Sequence, residues 1–295
     1  MICNDCPRKC GGKREENIPG GVCRSPSLPM LSRAAPHFGE EPCISGKNGS
    51  GTVFFSGCNL RCVFCQNHEI SRGQIGKVVS TNQLADIFLR LQDKGVHNIN
   101  LVTGSHYVRP IAEALQKAKL SIPVVWNSSG YDSVESLKML EGLVQIYLPD
   151  FKYAFSDCAR RYSAAPDYPE AAKAAISEMF RQRGKFIIDD DGMLQSGVLI
   201  RHLILPENEE NSRAAIDFVA ENFPGDMVLF SLMSQFTPMP GTEDFPELQY
   251  RVSSMAYARL CDYAVEKGIE YGFFQDESSA TDELIPDFDL SGIIY

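Results

Sequence analysis

Ser56-Gly57-Cys58-Asn59-Leu60-Arg61-Cys62-Val63-Phe64-Cys65-Gln66-Asn67 decides the reading of this chain. Its three cysteines stand at C-x3-C-x2-C spacing, close enough in one loop to converge on one metal centre. An odd number of thiols cannot all pair as disulfides within the loop. Three thiolates on a four-iron cluster leave one iron without a protein ligand, and an open iron is where a substrate or cofactor binds. The loop follows Thr52-Val53-Phe54-Phe55, β-branched then aromatic, which predicts a buried strand ended by Ser56-Gly57. The cysteines therefore leave the C-terminal end of a strand, where α/β barrels and open parallel sheets place their chemistry. The competing reading is a zinc knuckle, with His68 as fourth ligand beside Cys58, Cys62 and Cys65.

The spacing, the aromatic Phe64 before the third cysteine and the preceding strand resemble the radical S-adenosylmethionine (SAM) superfamily. Gly57-Cys58-Asn59-Leu60-Arg61-Cys62 and Cys65-Gln66-Asn67 are similar to its pyruvate formate-lyase activating-enzyme branch, and to the PflX-like proteins within it. The similarity runs through nearly the whole chain. It implies an α/β fold, a partial (β/α)6 barrel of the radical SAM type, open on one side. It implies a 4Fe–4S cluster on Cys58, Cys62 and Cys65 and S-adenosyl-L-methionine on the open iron. Reductive cleavage would then give a 5′-deoxyadenosyl radical for hydrogen abstraction. In activating enzymes the hydrogen is a glycine Cα–H of a partner glycyl-radical enzyme. Direct action on a small metabolite or a peptide is the alternative. A non-catalytic iron–sulfur carrier or redox module is a second, since one fold hosts many functions. A flavodoxin- or ferredoxin-type electron donor goes with the enzyme readings.

Composition agrees with that frame. The chain has 295 residues, 44% hydrophobic, which suits one large α/β domain with an appendage. A formal charge of −10 disfavours a nucleic-acid partner. No apolar run approaches a membrane span. Met1-Ile2-Cys3-Asn4-Asp5 lacks the basic-then-apolar order of a secretory leader, and ten clustered cysteines fit a reducing compartment, so a cytoplasmic location is expected.

Residues 1–50 are expected to form an N-terminal cysteine-rich metal-binding segment and linker, and 51–295 the barrel with a C-terminal wrap. Cys3, Cys6, Cys10 and Cys23 are spaced C-x2-C-x3-C-x12-C among glycines, with almost no apolar material to build a core. A metal is needed to hold such a segment, and four thiolates suit zinc or a second iron–sulfur cluster. Residues 26–51 read as a linker containing His37-Phe38-Gly39-Glu40-Glu41-Pro42. Beyond the cysteine loop, helical and strand patterns alternate, giving six principal strands, with Tyr271-Gly272-Phe273-Phe274 as a further short one.

In such a fold the working residues lie just past the strand ends. Thr103-Gly104-Ser105-His106 stands where many radical SAM proteins carry an acidic turn for the methionyl amine, and here it has no acid. Asn127-Ser128-Ser129-Gly130 and Asp150-Phe151-Lys152 resemble the activating-enzyme turns that hold the SAM carboxylate and ribose. His202 resembles a strand-end His near SAM. Arg201 and His202 alternate, so one of the two must face the interior or be paired. Phe64 is expected to contact the cofactor. His106, Cys158 and His202 are weak candidates for a catalytic role, Cys158 as a hydrogen-atom donor. The tail Ile285-Pro286-Asp287-Phe288-Asp289 is expected to pack over the barrel mouth or to wrap the domain.

Overall fold

The computed structural model describes residues 2–72, 75–274 and 286–293. The chain opens with a short antiparallel ribbon, β1 (Ile2–Cys3) against β2 (Gly12–Lys13). β3 (Met30–His37), α1 (Pro42–Ser45) and β4 (Ser50–Phe55) lead into the cysteine loop. After it come α2 (His68–Arg72), β5 (Lys77–Val78), α3 (Thr81–Asp93), β6 (Ile99–Val102), α4 (Val108–Ala118), β7 (Val124–Ser128), α5 (Val134–Lys138) and β8 (Ile146–Pro149). The second half holds α6 (Ser156–Ser163), α7 (Tyr168–Arg183), β9 (Ile187–Ile188), β10 (Leu194–Leu203), α8 (Glu209–Asn222), β11 (Leu229–Met233), α9 (Ser254–Glu266) and β12 (Gly272–Phe274).

The main sheet runs β12-β11-β10-β8-β7-β6-β4-β3-β5, and β9 pairs antiparallel with β10. From β4 to β12 every neighbour on that path is parallel. The path has two ends, so the sheet is open: six principal parallel strands of a partial (β/α)6 barrel, with β12 as a short seventh. Helices sit between consecutive strands because a parallel neighbour can be reached only by a crossover. α3 shows how the sequence sets their bounds: Ser80 Oγ accepts from the Gln83 N–H, and Gln83 Oε1 accepts from the Ser80 N–H. This reciprocal box satisfies two donors at the start of the helix.

Strand alternation separates two cores. Val53, Phe55, Leu101, Trp126, Tyr147, Ile200 and Phe230 face the helices in the larger one. Val125, Ile146, Leu148, Leu199 and Leu229 face the other way, against Cys43 and Ile44 of α1. The short helix α1 thus seals the lower part of the inner face. Above it, at the C-terminal strand ends, polar residues replace the aliphatic ones.

The stretch read as a linker contains a strand of the main sheet. β3 pairs antiparallel with β4 from Leu31 to His37, and its Leu31 and Ala34 are buried. Arg33, Pro36 and His37 interrupt the apolar pattern because this strand needs only a few buried side chains. The segment 286–293 then docks on β3. Ala34 N–H donates to Ser291 O at 2.8 Å, Leu290 N–H to Ser32 O at 3.0 Å, and Phe288 lies edge-on to Phe54 at 5.5 Å. The tail is therefore a wrap along the sheet, with Pro286 at the mouth of the cavity; Ile285 lies outside the described residues. Among the described residues, no helix is long and apolar enough to cross a membrane.

Candidate active site

The cysteine loop is held in shape by its neighbours. Gly57 has φ +83, and a Cβ there would lie 2.1 Å from Ser25 Oγ and 2.7 Å from Cys23 O, so only glycine fits. Cys58 Sγ accepts the backbone N–H groups of Leu60 and Arg61, both at 3.4 Å. Ser71 Oγ donates to Cys65 Sγ at 3.4 Å. Arg72 Nη2 donates to the Cys62 carbonyl at 2.8 Å. Burial, helped by the nearby Cys65, pushes the Cys58 thiol up to about 12, and burial also raises Cys65. Bare thiolates are disfavoured here, and a positively charged iron centre would offset that cost.

Cys58, Cys62 and Cys65 all line one cavity of about 210 Å³. Among the described residues, no three His, Cys, Asp or Glu side chains converge closely enough to hold a single metal ion. A four-iron cube takes each thiolate on a different iron, so it asks for three sulfurs on a common wall and not for one meeting point. The N–H donors on sulfur and the shared wall fit that group. His68 lines a neighbouring groove instead, so the knuckle reading lacks its fourth ligand in this cavity.

Opposite the cysteines lies a charged network at the strand ends. Arg201 donates from Nε to Asp150 Oδ1 at 2.9 Å, from Nη1 to Glu40 Oε2 at 2.9 Å, and from Nη2 to Asn127 Oδ1 at 2.7 Å. Glu40 Oε1 also accepts from Asn127 Nδ2 at 2.9 Å and Asn100 Nδ2 at 3.1 Å. Lys152 Nζ lies 2.7 Å from Asp150 Oδ2. Burial pushes the Asp150 carboxyl up, but Arg201 and Lys152 outweigh it and hold it below its ordinary value. Burial pushes Lys152 down, and Asp150 reverses this, so the ammonium is kept. Neither is a surface pair: the two side chains are 14% and 17% exposed. The cavity therefore presents fixed charges whose ionisation is secured by their partners.

Phe64, Thr103, Asn127, Ser128, Asp150 and Lys152 line this cavity. Phe64 packs in an aromatic cluster, with the rings of Tyr153, Tyr162 and Phe236 at 6.2, 6.3 and 6.2 Å. Gly104 turns toward the core instead: a Cβ there would meet the Trp126 ring at 3.0 Å. Ser105 and His106 are buried away from the cavity. His106 Nε2 lies 2.9 Å from Ser56 O, behind the cysteine loop, and burial with Arg14 nearby lowers it to about 3.

His202 is also outside the cavity. Its Nδ1 lies 2.6 Å from Phe151 O and its Nε2 3.0 Å from Ser212 Oγ of α8. Burial lowers it to about 4, so it is a neutral packing residue. Alternation along β10 explains the exchange, because it turns Arg201 inward and His202 toward the helices. Cys158 stands half-buried on α6 with Sγ 3.7 Å from Asn208 Oδ1 and is not among the residues that line the cavity. Glu40 has a central part that local sequence does not disclose. Its only signal is a pair of acids between a strand and Pro42. Cys3, Cys6, Cys10 and Cys23 surround a second, smaller cavity on the far side of the cysteine loop.

A model of the radical SAM superfamily matches residues 52–219. The uncharacterized protein MJ0674 of Methanocaldococcus jannaschii is 31% identical over 261 residues, covering 85% of this chain and 70% of that protein. Among solved structures, SuiB of Streptococcus suis bound to its precursor peptide SuiA is 14% identical with a TM-score of 0.48 over 71% of this chain. The radical SAM methyltransferase TsrM of Kitasatospora setae, bound to cobalamin and a [4Fe-4S] cluster, is 12% identical with a TM-score of 0.43 over 60% of this chain. This chain spans 43% and 34% of those two chains.

Proposed function

The chain belongs to the radical SAM superfamily, and from that premise we propose that it is a hydrogen-abstracting enzyme whose substrate is a polypeptide, with a glycine of a partner glycyl-radical enzyme as the target. A 4Fe–4S cluster and S-adenosyl-L-methionine are its cofactors. The chemistry they supply is reductive cleavage of SAM to methionine and a hydrogen-abstracting 5′-deoxyadenosyl radical. The observation that carries the reading is that the three cysteines and the charged strand-end network line the same cavity.

Cys58, Cys62 and Cys65 would hold the cluster. Lys152 offers a positive charge to the SAM carboxylate, and Asn127, Ser128 and Asp150 offer polar groups to its ribose and amino-acid ends. The turn at Thr103 offers backbone groups to the amine, in place of the missing acid. Arg201 and Glu40 do not need to touch the cofactor; they fix Asn127 and Asp150 in place. The rings around Phe64 keep water from one side of the cysteine wall.

A polypeptide substrate is supported by a groove of about 600 Å³ that adjoins the cavity through Gln66 and Pro286 and includes His68, Thr237, Arg251 and Phe288. The glycine target rests on the resemblance of the cysteine loop and of the Asn127 and Asp150 turns to activating enzymes. A flavodoxin- or ferredoxin-type donor would supply the electron, in a cytoplasm that keeps thiols reduced. The test is to incubate the reduced, reconstituted protein with SAM and large enzymes encoded beside it. A glycine-centred EPR doublet on one of them is expected. No doublet on any, together with conversion of a small molecule, would replace this reading with direct action on a metabolite.

A further inference from the structure

A side chamber adjoins the cavity on the inner face of the sheet. Arg201, Ser231 and Phe273 are register partners across β10, β11 and β12. Partners on parallel strands share a face, so Ser231 and Phe273 look inward with Arg201. Two residues earlier in this register, Leu199 and Leu229 pack against α1. Two residues later, Leu203 and Met233 line the main cavity. Glu41, Ser231 and Gln235 line the chamber with Phe38, Phe273 and Phe274. Its wall of Glu40, Arg201 and Met233 is shared with the main cavity.

The chamber holds polar groups that the fold does not use. Glu41 is 7% exposed, and its Oε2 has no hydrogen-bond partner. It stands at the N-cap of α1, yet its side chain makes no capping bond, and Pro42 at the helix start has no N–H to offer. Burial pushes the Glu41 carboxyl up, against the pull of Arg201. The Arg201 guanidinium directs its hydrogen bonds elsewhere, to Asp150, Glu40 and Asn127. Ser231 is fully buried and its Oγ makes no hydrogen bond, although the hydroxyl lies near enough to steady the Glu41 carboxylate. Gln235 Oε1 is a third buried atom without a partner. Unpaired buried acceptors are costly, so an aliphatic side chain in line with Leu199 and Leu229 would serve the fold better than this set.

Building on the polypeptide reading above, we infer that the chamber seats a cationic side chain of the substrate, a lysine ammonium or an arginine guanidinium. Both groups only donate hydrogen bonds, and the orphaned atoms Glu41 Oε2 and Gln235 Oε1 only accept them. Ser231 Oγ adds a further acceptor. An anion would meet two carboxylates, Glu40 and Glu41, while Arg201 is already paired with Glu40 and Asp150. A neutral apolar side chain would leave the Glu41 carboxyl unpaired. Phe38 and Phe274, 62% and 42% exposed, offer aromatic surface to the cation and to its aliphatic stem. A side chain held here keeps the adjoining peptide at the main cavity, through the wall the two spaces share. The chamber thus selects the residue that neighbours the target glycine.

The probes are acetylated, amidated tripeptides with lysine, arginine or norleucine between two glycines. Each is titrated into the reconstituted, SAM-loaded protein without reductant, and binding is read from the methyl resonance of isotope-labelled Met233, which lines both spaces. The lysine peptide, the arginine peptide or both are expected to bind about tenfold more tightly than the norleucine peptide, and the two arms identify the cation. Glu41→Gln keeps the shape and removes the charge, and it is expected to bring the cationic peptides down to the norleucine level. Equal binding of all three peptides to wild type, or a cation preference that survives in Glu41→Gln, would overturn the inference. So would no binding of any peptide, the result if SAM itself fills the chamber. The wild-type comparison stands without the variant, should Glu41→Gln fail to fold. Binding is read without turnover, so the two claims fail separately. A cation preference without a glycine doublet would sink the activase reading alone, and a doublet without the preference would sink this inference alone.

Discussion

Arg201 Nε and Asp150 Oδ1 meet at 2.9 Å across neighbouring parallel strand ends, opposite the three-cysteine wall. The same guanidinium reaches Glu40 and Asn127, so three side chains from three parts of the chain share one cation. A buried charge of this kind is tolerated only when paired, and removing one partner leaves the others uncompensated. Arg201→Met should therefore destabilise the fold by about 3–5 kcal/mol. In a double-mutant cycle with Asp150→Leu, the coupling should be about 1–3 kcal/mol, and additivity within about 0.5 kcal/mol would show that the pair is independent. Urea unfolding of the four proteins is the measurement.

The two buried histidines give a pH dependence with a definite sign. Burial lowers His202 from 6.5 to about 4 and His106 from 6.5 to about 3. Above the ordinary histidine value both are neutral, folded or unfolded. As pH falls below it, only the unfolded chain takes up protons, so stability falls until the folded values are reached. The His202 share is on the order of 3 kcal/mol at its limit. Asp150 has a depressed value, so its contribution is fully present above the ordinary carboxylate range and does not change in this window. Unfolding free energies between pH 7.5 and 4.5 should slope upward with pH, less so in His202→Asn. Parallel slopes in the two proteins would contradict the account.

Arg8 clamps the cysteine loop to α6 through the carbonyls of Asn59, Leu60, Ser163 and Ala164. Arg8→Ala should cost about 2–3 kcal/mol, the loss of charge-assisted hydrogen bonds to carbonyls that water only partly replaces. Hydrogen exchange should rise at residues 58–62 and not at the distant α9. A uniform rise across the chain would mean a global effect and not a local clamp.

Cys158 lies on α6, outside the cavity walls. Cys158→Ser should leave SAM cleavage and substrate turnover within about twofold of wild type. A loss of turnover with SAM cleavage intact would restore it as a hydrogen-atom donor.

Much of the site was legible because its residues sit where chain order and alternation put them. The cysteine loop follows a recognisable strand, Asn127 and Ser128 end β7, and Asp150 and Lys152 come just after β8, strands whose apolar runs mark their ends. What escaped depends on long-range pairing. The choice between Arg201 and His202 needs the face of β10, which the apolar residues on both sides of the pair, Val198 to Ile200 and Leu203, do not announce. Glu40 joins Asn127 from 87 positions away, and Arg8 reaches Ser163 from 155, so no local pattern carries either contact. β3 was hidden by Arg33, Pro36 and His37, and it is a strand because β4 and the segment 286–293 pair with it.

The most direct measurement is 5′-deoxyadenosine formation. The protein is reconstituted with iron and sulfide without oxygen, then given SAM and dithionite, with Cys58→Ala in parallel. The account predicts product from wild type and none from Cys58→Ala. Equal product from both, or none from wild type that holds a cluster and SAM in the presence of its polypeptide substrate, would contradict it.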